Sequence, residues 1–88
     1  MRVTVEFFGI PRERAKTSRT TAVGDTLGAV LADLAGRFPV FASDCLTADG
    51  RLRPECIANV GDLRFTRDPD TPVTDGESVL VLSADVGG

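Results

Sequence analysis

The sequence predicts a small two-layer α+β domain in which one main helix crosses one face of a mixed β-sheet. Three features predict this class: an alternating strand at the N-terminus, an amphipathic helix in the first half, and a wholly apolar strand near the C-terminus. A helix packed on a sheet buries the apolar side of both. The 88 residues are enough for one such domain with a modest core.

The first strand is predicted from the segment RVTVEFF, in which apolar and polar residues alternate. A period of two places the apolar side chains on one face of a strand. Gly9 and Pro11 then interrupt the pattern and predict a connecting loop. The Thr-rich segment TSRTTAV, which ends at Val23, is a weaker second strand. We expect the two strands to form a hairpin.

The segment GDTLGAVLADLAGRFP predicts the main helix. Asp25 or Thr26 supplies a side-chain oxygen that can cap its first turn. Pro39 marks its end, because a residue before proline is pushed out of helical conformation. Gly28 weakens the helix, and close packing against the sheet would explain its presence. The apolar residues at helical spacing form one stripe, made of Leu27, Val30, Leu31, Leu34 and Phe38.

The second half of the chain is richer in turns. Residues 40–55 are predicted to be mostly turns, and CIANVGDLRF to be two short strands around a turn at residues 59–62. Residues 79–82 are apolar without interruption, which is typical of a central strand, and the first strand is its best candidate neighbour. With one main helix and four to five strands in this order, the predicted fold is a β-grasp.

The composition excludes several function classes. The net charge is −3 and the chain has one lysine, Lys16, so a nucleic-acid-binding patch is not expected. Histidine is absent, which removes the commonest general base and metal ligand, and we expect no metal site. No apolar stretch is long enough to span a bilayer and no signal peptide is visible, so a cytoplasmic location is expected.

Two cysteines, Cys45 and Cys56, are too far apart for a C-x-x-C motif. A disulfide between them is one reading. We favour reduced cysteines that pack as small apolar residues, since a single bridge without a secretory signal is a weak indication. Cys56 opens a predicted strand and is expected in the core rather than as a nucleophile.

With these elements placed, the sequence resembles the MoaD/ThiS family of ubiquitin-like sulfur carriers. The segments that carry the resemblance follow one another along the whole chain. They are VTVEFFGIPRERAK, GDTLGAVLADLAGRFP, IANVGDLRF with Asn59, TPVTDGESVLVLS and the terminal VGG. No single segment is specific, but their combination in this order is.

The resemblance implies that the C-terminal Gly88 is the reactive residue. An E1-like adenylating enzyme of the MoeB/ThiF type would adenylate its α-carboxylate with ATP and Mg²⁺. Sulfur from a persulfide or from sulfide would then replace AMP and leave a thiocarboxylate. The sulfur would pass to an acceptor enzyme, such as the large subunit of molybdopterin synthase. The chain would bind no cofactor and would be a co-substrate, or a small subunit of a sulfurtransferase complex, rather than an enzyme by itself.

The chemistry explains why such a tail ends in glycine. A C-terminal carboxylate is an anion that resists nucleophiles, and adenylation gives it a good leaving group. We divide the chain into a domain at residues 1–83 and a flexible tail at residues 84–88. Asp85, Val86 and Gly87 are expected to enter a partner's channel together with Gly88, because glycine backbones pass narrow openings. Measured from Ser83, the extended tail would reach about 20 Å.

A face for partner docking is also expected. Phe8, Leu63 and Phe65 could expose apolar surface on the sheet, together with Phe7, although half or more of these residues should be core. The tail departs from the common family pattern, since it lacks a proline before the glycines and carries Asp85. This leaves the identity of the partner open.

Several functions remain open from sequence. The small subunit of molybdopterin synthase, in molybdenum cofactor biosynthesis, stands slightly ahead. Carriers that supply sulfur for cysteine, thiamine or another sulfur-containing metabolite are the nearest alternative. Two rivals of other classes are a protein modifier that is conjugated through Gly88 and a ubiquitin-like binding module with an inert tail.

Overall fold

The computed structural model describes residues 1–84 and shows a five-stranded sheet with helices packed on one face. The strand order across the sheet is β2-β1-β5-β3-β4. The elements follow the chain as β1 (Arg2–Phe7), α1 (Ile10–Ala15), β2 (Arg19–Val23), α2 (Leu27–Arg37), α3 (Pro39–Cys45), β3 (Cys56–Val60), β4 (Arg64–Thr66) and β5 (Ser78–Ser83). Within this part of the chain, no helix has the length and apolar character needed to cross a membrane.

The last strand lies at the centre of the sheet, as its apolar sequence predicts. β5 runs parallel to β1 and antiparallel to β3. β1 and β2 form the expected antiparallel pair. These pairings confirm the predicted α+β, β-grasp fold with a mixed sheet.

The core lies between the sheet and the helices. Phe7 is fully buried at its centre, and its ring meets the rings of Phe38 and Phe41 edge-on at centroid distances of 5.8 and 5.3 Å. Leu27, Leu31 and Leu34 of α2 are fully buried against the same cluster. The predicted apolar stripe of the main helix is therefore confirmed as a core face.

The N-terminus of α2 is held by a cap and by a neighbouring loop. The Thr26 hydroxyl accepts a hydrogen bond from the Ala29 N–H at 3.2 Å, which settles the choice between Asp25 and Thr26. The Gly28 N–H donates to the Pro69 carbonyl at 2.9 Å. A Cβ on Gly28 would lie 3.0 Å from the Cβ of Pro69. Gly28 thus permits close packing against the loop, not against the sheet as predicted.

Two short helices replace segments that were predicted to be loop and turn. α1 follows Gly9 with a proline in its first turn, and α3 starts at Pro39, directly after α2 ends. Proline is well tolerated in the first turn of a helix, since its missing N–H has no partner there in any case. Six- and seven-residue helices are too short to give a clear apolar period. The turn predicted at residues 59–62 is also displaced, because Asn59 and Val60 belong to β3.

Candidate functional site

The residues predicted to carry the chemistry lie beyond the last described residue. Asp85, Val86, Gly87 and Gly88 fall outside residues 1–84, so their assignment remains a prediction. What the structure does describe is the place where this segment leaves the sheet, at the end of β5.

The end of β5 is held from both sides. On the side of α1, the Ser83 hydroxyl accepts a hydrogen bond from the Ile10 N–H at 2.9 Å. On the side of β3, the Ala84 N–H donates to the Glu55 carbonyl at 2.8 Å. The chain is therefore fixed as far as Ala84, and the residues that follow start from a defined point on the sheet.

Gly9 makes the first of these contacts feasible. Its φ is +67°, a conformation that L side chains rarely adopt, and a Cβ there would lie 2.5 Å from the Ser83 Oγ. Sequence reasoning identified Gly9 only as the end of a strand. Its role depends on a contact between residues 9 and 83, which no local pattern reveals.

An open groove of about 660 Å³ borders the same point. Its wall includes Ser83, Cys56 and an ion pair in which the Arg14 Nε lies 2.6 Å from an Asp44 carboxylate oxygen. Arg53 and Glu55 also line the groove. Both signs of charge are present, so the groove has no strong preference for an anion or a cation.

Of the two cysteines, Cys56 lines this groove. Both are free and buried, with Cys45 closing α3 and Cys56 opening β3. The Cys45 thiol donates a hydrogen bond to the Cys56 sulfur, which raises the pKa of Cys45 further than burial alone would. The same hydrogen bond lowers the pKa of the Cys56 thiol, against the opposing effect of burial. Their burial agrees with the prediction that they pack in the core.

The face of the sheet opposite the helices carries two of the three predicted docking residues. Phe65 of β4 pairs with Asn59 of β3, which pairs in turn with Leu80 of β5. Phe8 follows β1 and donates its N–H to the Val81 carbonyl at 2.9 Å, so strand alternation puts its ring on the side opposite Phe7.

These predicted residues are exposed to different degrees. Phe8 and Phe65 are 43% and 63% exposed, and both belong to this open face. Leu63 is 91% exposed but lies in the turn between β3 and β4. Phe7 is the one of the four that is core, so the expectation that half or more of them would be core was wrong.

Sequence reasoning missed the residues between these aromatics. Leu80, Leu82 and Ile57 are half-buried on the open face, where they join Phe8 and Phe65 into one apolar surface. Asn59 lies among them at 7% exposure, and its Oδ1 has no hydrogen-bond partner within residues 1–84. The sequence signal for this face was the alternation of valine and leucine in β5, since the valines face the core and the leucines face the open side.

No protein-family model matches the chain. The sulfur carrier protein CysO of Mycobacterium tuberculosis is 33% identical over 93 residues, with both chains covered completely. The crystal structure of M. tuberculosis CysO has a TM-score of 0.75 at 32% identity, covering 93% of this chain and 98% of that one. The crystal structure of SAMP1 from Haloferax volcanii covers both chains fully with a TM-score of 0.83, and at 19% identity it supports the fold alone.

The likeness to CysO extends over the full length of both sequences, and the solved structures share the overall fold of this chain. The sequence resemblance and the fold therefore lead to the same family. The chain belongs to the ubiquitin-like β-grasp sulfur carriers of the MoaD/ThiS type, and it is a sulfur carrier protein.

Proposed function

We propose that this chain carries sulfur on the C-terminal carboxyl group of Gly88. A partner enzyme adenylates the carboxylate with ATP and Mg²⁺, and a sulfide or persulfide sulfur then displaces AMP to give a thiocarboxylate. The observation that carries the proposal is the identity of 33% to a sulfur carrier protein over the whole of both chains.

The base of the tail supports this role. The bonds of Ser83 and Ala84 hold the chain up to the point where it leaves the sheet, 2.9 and 2.8 Å from their partners. From Ala84, four extended residues reach about 13 Å. A body that docks at a constant position on the partner thus keeps Gly88 within this reach of a fixed point, which favours the in-line attack of its carboxylate on the α-phosphate.

The open face is the surface on which we place the activating enzyme. Phe8 and Phe65 leave aromatic rings exposed at either side of Leu80 and Leu82, and exposed aromatic residues dominate many protein interfaces. A structural neighbour, the Amycolatopsis orientalis CysO, was solved in complex with BexX, at a TM-score of 0.80 and 23% identity. That complex is a precedent for a carrier of this fold that docks on another protein.

The sulfur acceptor is proposed to be an enzyme that makes cysteine. The full-length relative is a CysO, and this favours cysteine over molybdopterin, which the sequence alone placed slightly ahead. The role of small subunit of molybdopterin synthase stays a prediction. We distinguish the two by offering the thiocarboxylated chain to both kinds of acceptor.

The first experiment measures the intact mass of the chain after incubation with ATP, Mg²⁺, sulfide and an activating enzyme from the same cells. We expect a gain equal to the replacement of one oxygen atom by sulfur. A variant that lacks Gly88 should show no gain while unfolding at the same denaturant concentration, because residues 85–88 follow the last described contact, at Ala84.

Two results would contradict the proposal. The first is an unchanged mass with an activating enzyme that is competent on another carrier. The second is an equal gain in the variant without Gly88, which would move the sulfur to another residue. In the acceptor assay, transfer to a molybdopterin synthase large subunit and not to a cysteine-forming enzyme would restore the molybdopterin role.

A further inference from the structure

Asn59 is a polar residue within the apolar surface of the open face. It lies on β3 and is 7% exposed. Phe65 of β4 is opposite it in register on one side and Leu80 of β5 on the other, while Ile57 is its neighbour on the same strand and face. None of these three side chains has a hydrogen-bond donor. The amide of Asn59 is thus flanked by side chains that cannot bond to it.

The Asn59 Oδ1 is a buried acceptor without a donor. Across residues 1–84 no group donates a hydrogen bond to this atom. Arg67, which follows β4, directs its guanidinium to the backbone instead, where Nε donates to the Cys56 carbonyl at 2.7 Å and a terminal nitrogen donates to the Pro54 carbonyl at 2.9 Å. Because nearly all buried polar groups in proteins are paired, an unpaired one requires a reason.

Folding does not supply that reason. Asparagine is depleted in β-strands, where β-branched and aromatic residues are preferred. An apolar residue at position 59 would continue the surface of Ile57, Leu80 and Leu82, and it would need no donor. Positions that break the local rules of a fold without a gain in stability are typical of functional sites.

We propose that Asn59 is a positioning residue for the activating enzyme, and that its Oδ1 accepts a hydrogen bond from an N–H group on the surface of that enzyme. The matching surface on the enzyme then has apolar side chains that meet Phe8, Phe65 and Leu80, and one donor among them that meets Asn59. This inference rests on the proposed function, because it names a contact through which the activating enzyme recognises the chain.

The donor reaches the amide after a small movement of one side chain. Phe65 is directly opposite Asn59, and its ring is 63% exposed and free to turn. Changes of side-chain rotamer are common when partners dock. When the ring turns away from Asn59 it admits the donor, and the apolar contacts around the new bond then exclude water from it.

The burial of Oδ1 makes this bond more favourable than an ordinary surface hydrogen bond. Most hydrogen bonds across an interface replace a bond to water, so their net contribution is small. Oδ1 is already shielded from solvent in the free domain, and on this side no bond to water has to be broken. A partner that lacks the donor would leave the amide unpaired, which selects against it.

The test compares three variants of the full chain. Asn59→Leu keeps the approximate size of the side chain and removes both polar atoms, whereas Asn59→Asp keeps an acceptor at the same place. Thr4→Val is the matched control, since it also replaces a polar by an apolar side chain on the open face, at a position that pairs with Ser78 and not with Asn59. For each chain we measure the Kd for the activating enzyme by titration calorimetry, and the KM and kcat of thiocarboxylation.

Asn59→Leu should raise both Kd and KM about tenfold, the loss of one well-shielded hydrogen bond, and leave kcat unchanged. Asn59→Asp should stay within about threefold of the unmodified chain, because a carboxylate oxygen accepts the same bond. Thr4→Val should change neither constant. Asn59→Leu should also unfold at an equal or higher urea concentration, which would not happen if the amide stabilised the fold.

A spectroscopic measurement detects the bond without any substitution. Asn59 is the one asparagine of the chain, so a ¹³C label at asparagine Cγ gives a single signal. Addition of the unlabelled activating enzyme should shift this signal to higher frequency, as hydrogen bonding to a carbonyl oxygen does. This measurement decides the question if a variant at position 59 fails to fold.

Several results would overturn the proposal. They are an unchanged Kd for Asn59→Leu, an equal loss of binding in Thr4→Val, a lower stability of Asn59→Leu, or a ¹³C signal that does not move when the enzyme binds. An equal loss of binding in Asn59→Asp and Asn59→Leu would also overturn it, since the enzyme would then accept from the amide nitrogen.

The same measurements separate this inference from the proposed function. The Kd and the ¹³C signal require no reaction at Gly88. Binding through Asn59 without any thiocarboxylate would contradict the chemistry proposed for Gly88 and support the role of Asn59. Thiocarboxylation with a Kd that is unaffected by Asn59→Leu would support the carrier function and overturn this inference. An unmodified chain that does not bind the activating enzyme would overturn it as well.

Discussion

The two faces of the sheet come from the same strands and differ sharply in burial. Phe7, Val79 and Val81 point to the helices and are 0% exposed. Their alternating neighbours point the other way, and there Phe8 and Phe65 are 43% and 63% exposed. No helix covers this second face among the described residues.

The difference separates folding from binding. Burial of the helix-covered face supplies the hydrophobic free energy that holds the domain together. An apolar open face gains little for folding, and contiguous exposed apolar surface in a small domain usually marks an interaction site. We therefore expect substitutions on one face to change stability and substitutions on the other to change partner binding.

The largest effect is expected from Phe7→Ala. Phe7 is fully buried and its ring meets Phe38 and Phe41, so its removal leaves a cavity in the centre of the core. The free energy of unfolding should fall by about 3–5 kcal/mol, measured by urea denaturation. A loss under about 1 kcal/mol would mean that the helix-covered face is not the source of stability.

The next largest loss of stability is expected from Gly9→Ala, just after the end of β1. A methyl group there meets the Ser83 Oγ and also occupies an unfavourable φ of +67°, so we expect a loss of about 2–4 kcal/mol in the free energy of unfolding. Gly50→Ala is the matched control, since its φ is +83° and no atom lies within 4 Å of the added Cβ. The control should lose about 1 kcal/mol, and equal losses would show that the contact with Ser83 is unimportant.

Sequence predicted the parts of the fold that repeat a clear period. The alternation in β1, the uninterrupted apolar run of β5 and the stripe of α2 each gave a correct element, and their order gave the sheet. Thr26 was one of two predicted caps, and its side chain makes the bond. Local patterns sufficed because hydrophobic periodicity fixes which face of each element is buried.

The rest depends on contacts between distant residues. α1 and α3 are too short to show a period, and tertiary contacts stabilise helices of this length more than propensity does. The contact of Gly9 with Ser83 joins residues from distant parts of the chain. The assignment of Gly88 came from family resemblance, and it awaits the mass measurement.

A smaller effect, of opposite sign, is expected from Asn59→Val. Asn59 is 7% exposed on the open face, and its Oδ1 finds no partner within residues 1–84. Valine removes a buried acceptor and favours a strand, so the free energy of unfolding should rise by up to about 1 kcal/mol. If the same variant also slows thiocarboxylation, Asn59 serves the partner at a cost to stability. A destabilised variant would instead show that Asn59 is already satisfied in the folded domain.

The smallest effect on stability, and a clear effect on function, is expected from Phe65→Ala. The ring is 63% exposed on a strand of three residues at the edge of the sheet, so the free energy of unfolding should change by less than about 0.5 kcal/mol. The kcat/KM of thiocarboxylation by the activating enzyme should nevertheless fall about tenfold, because an exposed aromatic residue is a typical binding hot spot.

Val40→Ala is the matched control for Phe65→Ala. Val40 is 50% exposed but lies on α3, on the other side of the sheet. The substitution Val40→Ala removes exposed apolar surface from the helical layer, and it should leave the kcat/KM of thiocarboxylation unchanged. If both variants slowed the reaction equally, the partner would not distinguish the two sides of the domain. If neither did, the open face would not be where the activating enzyme docks, even though Gly88 could still be its substrate.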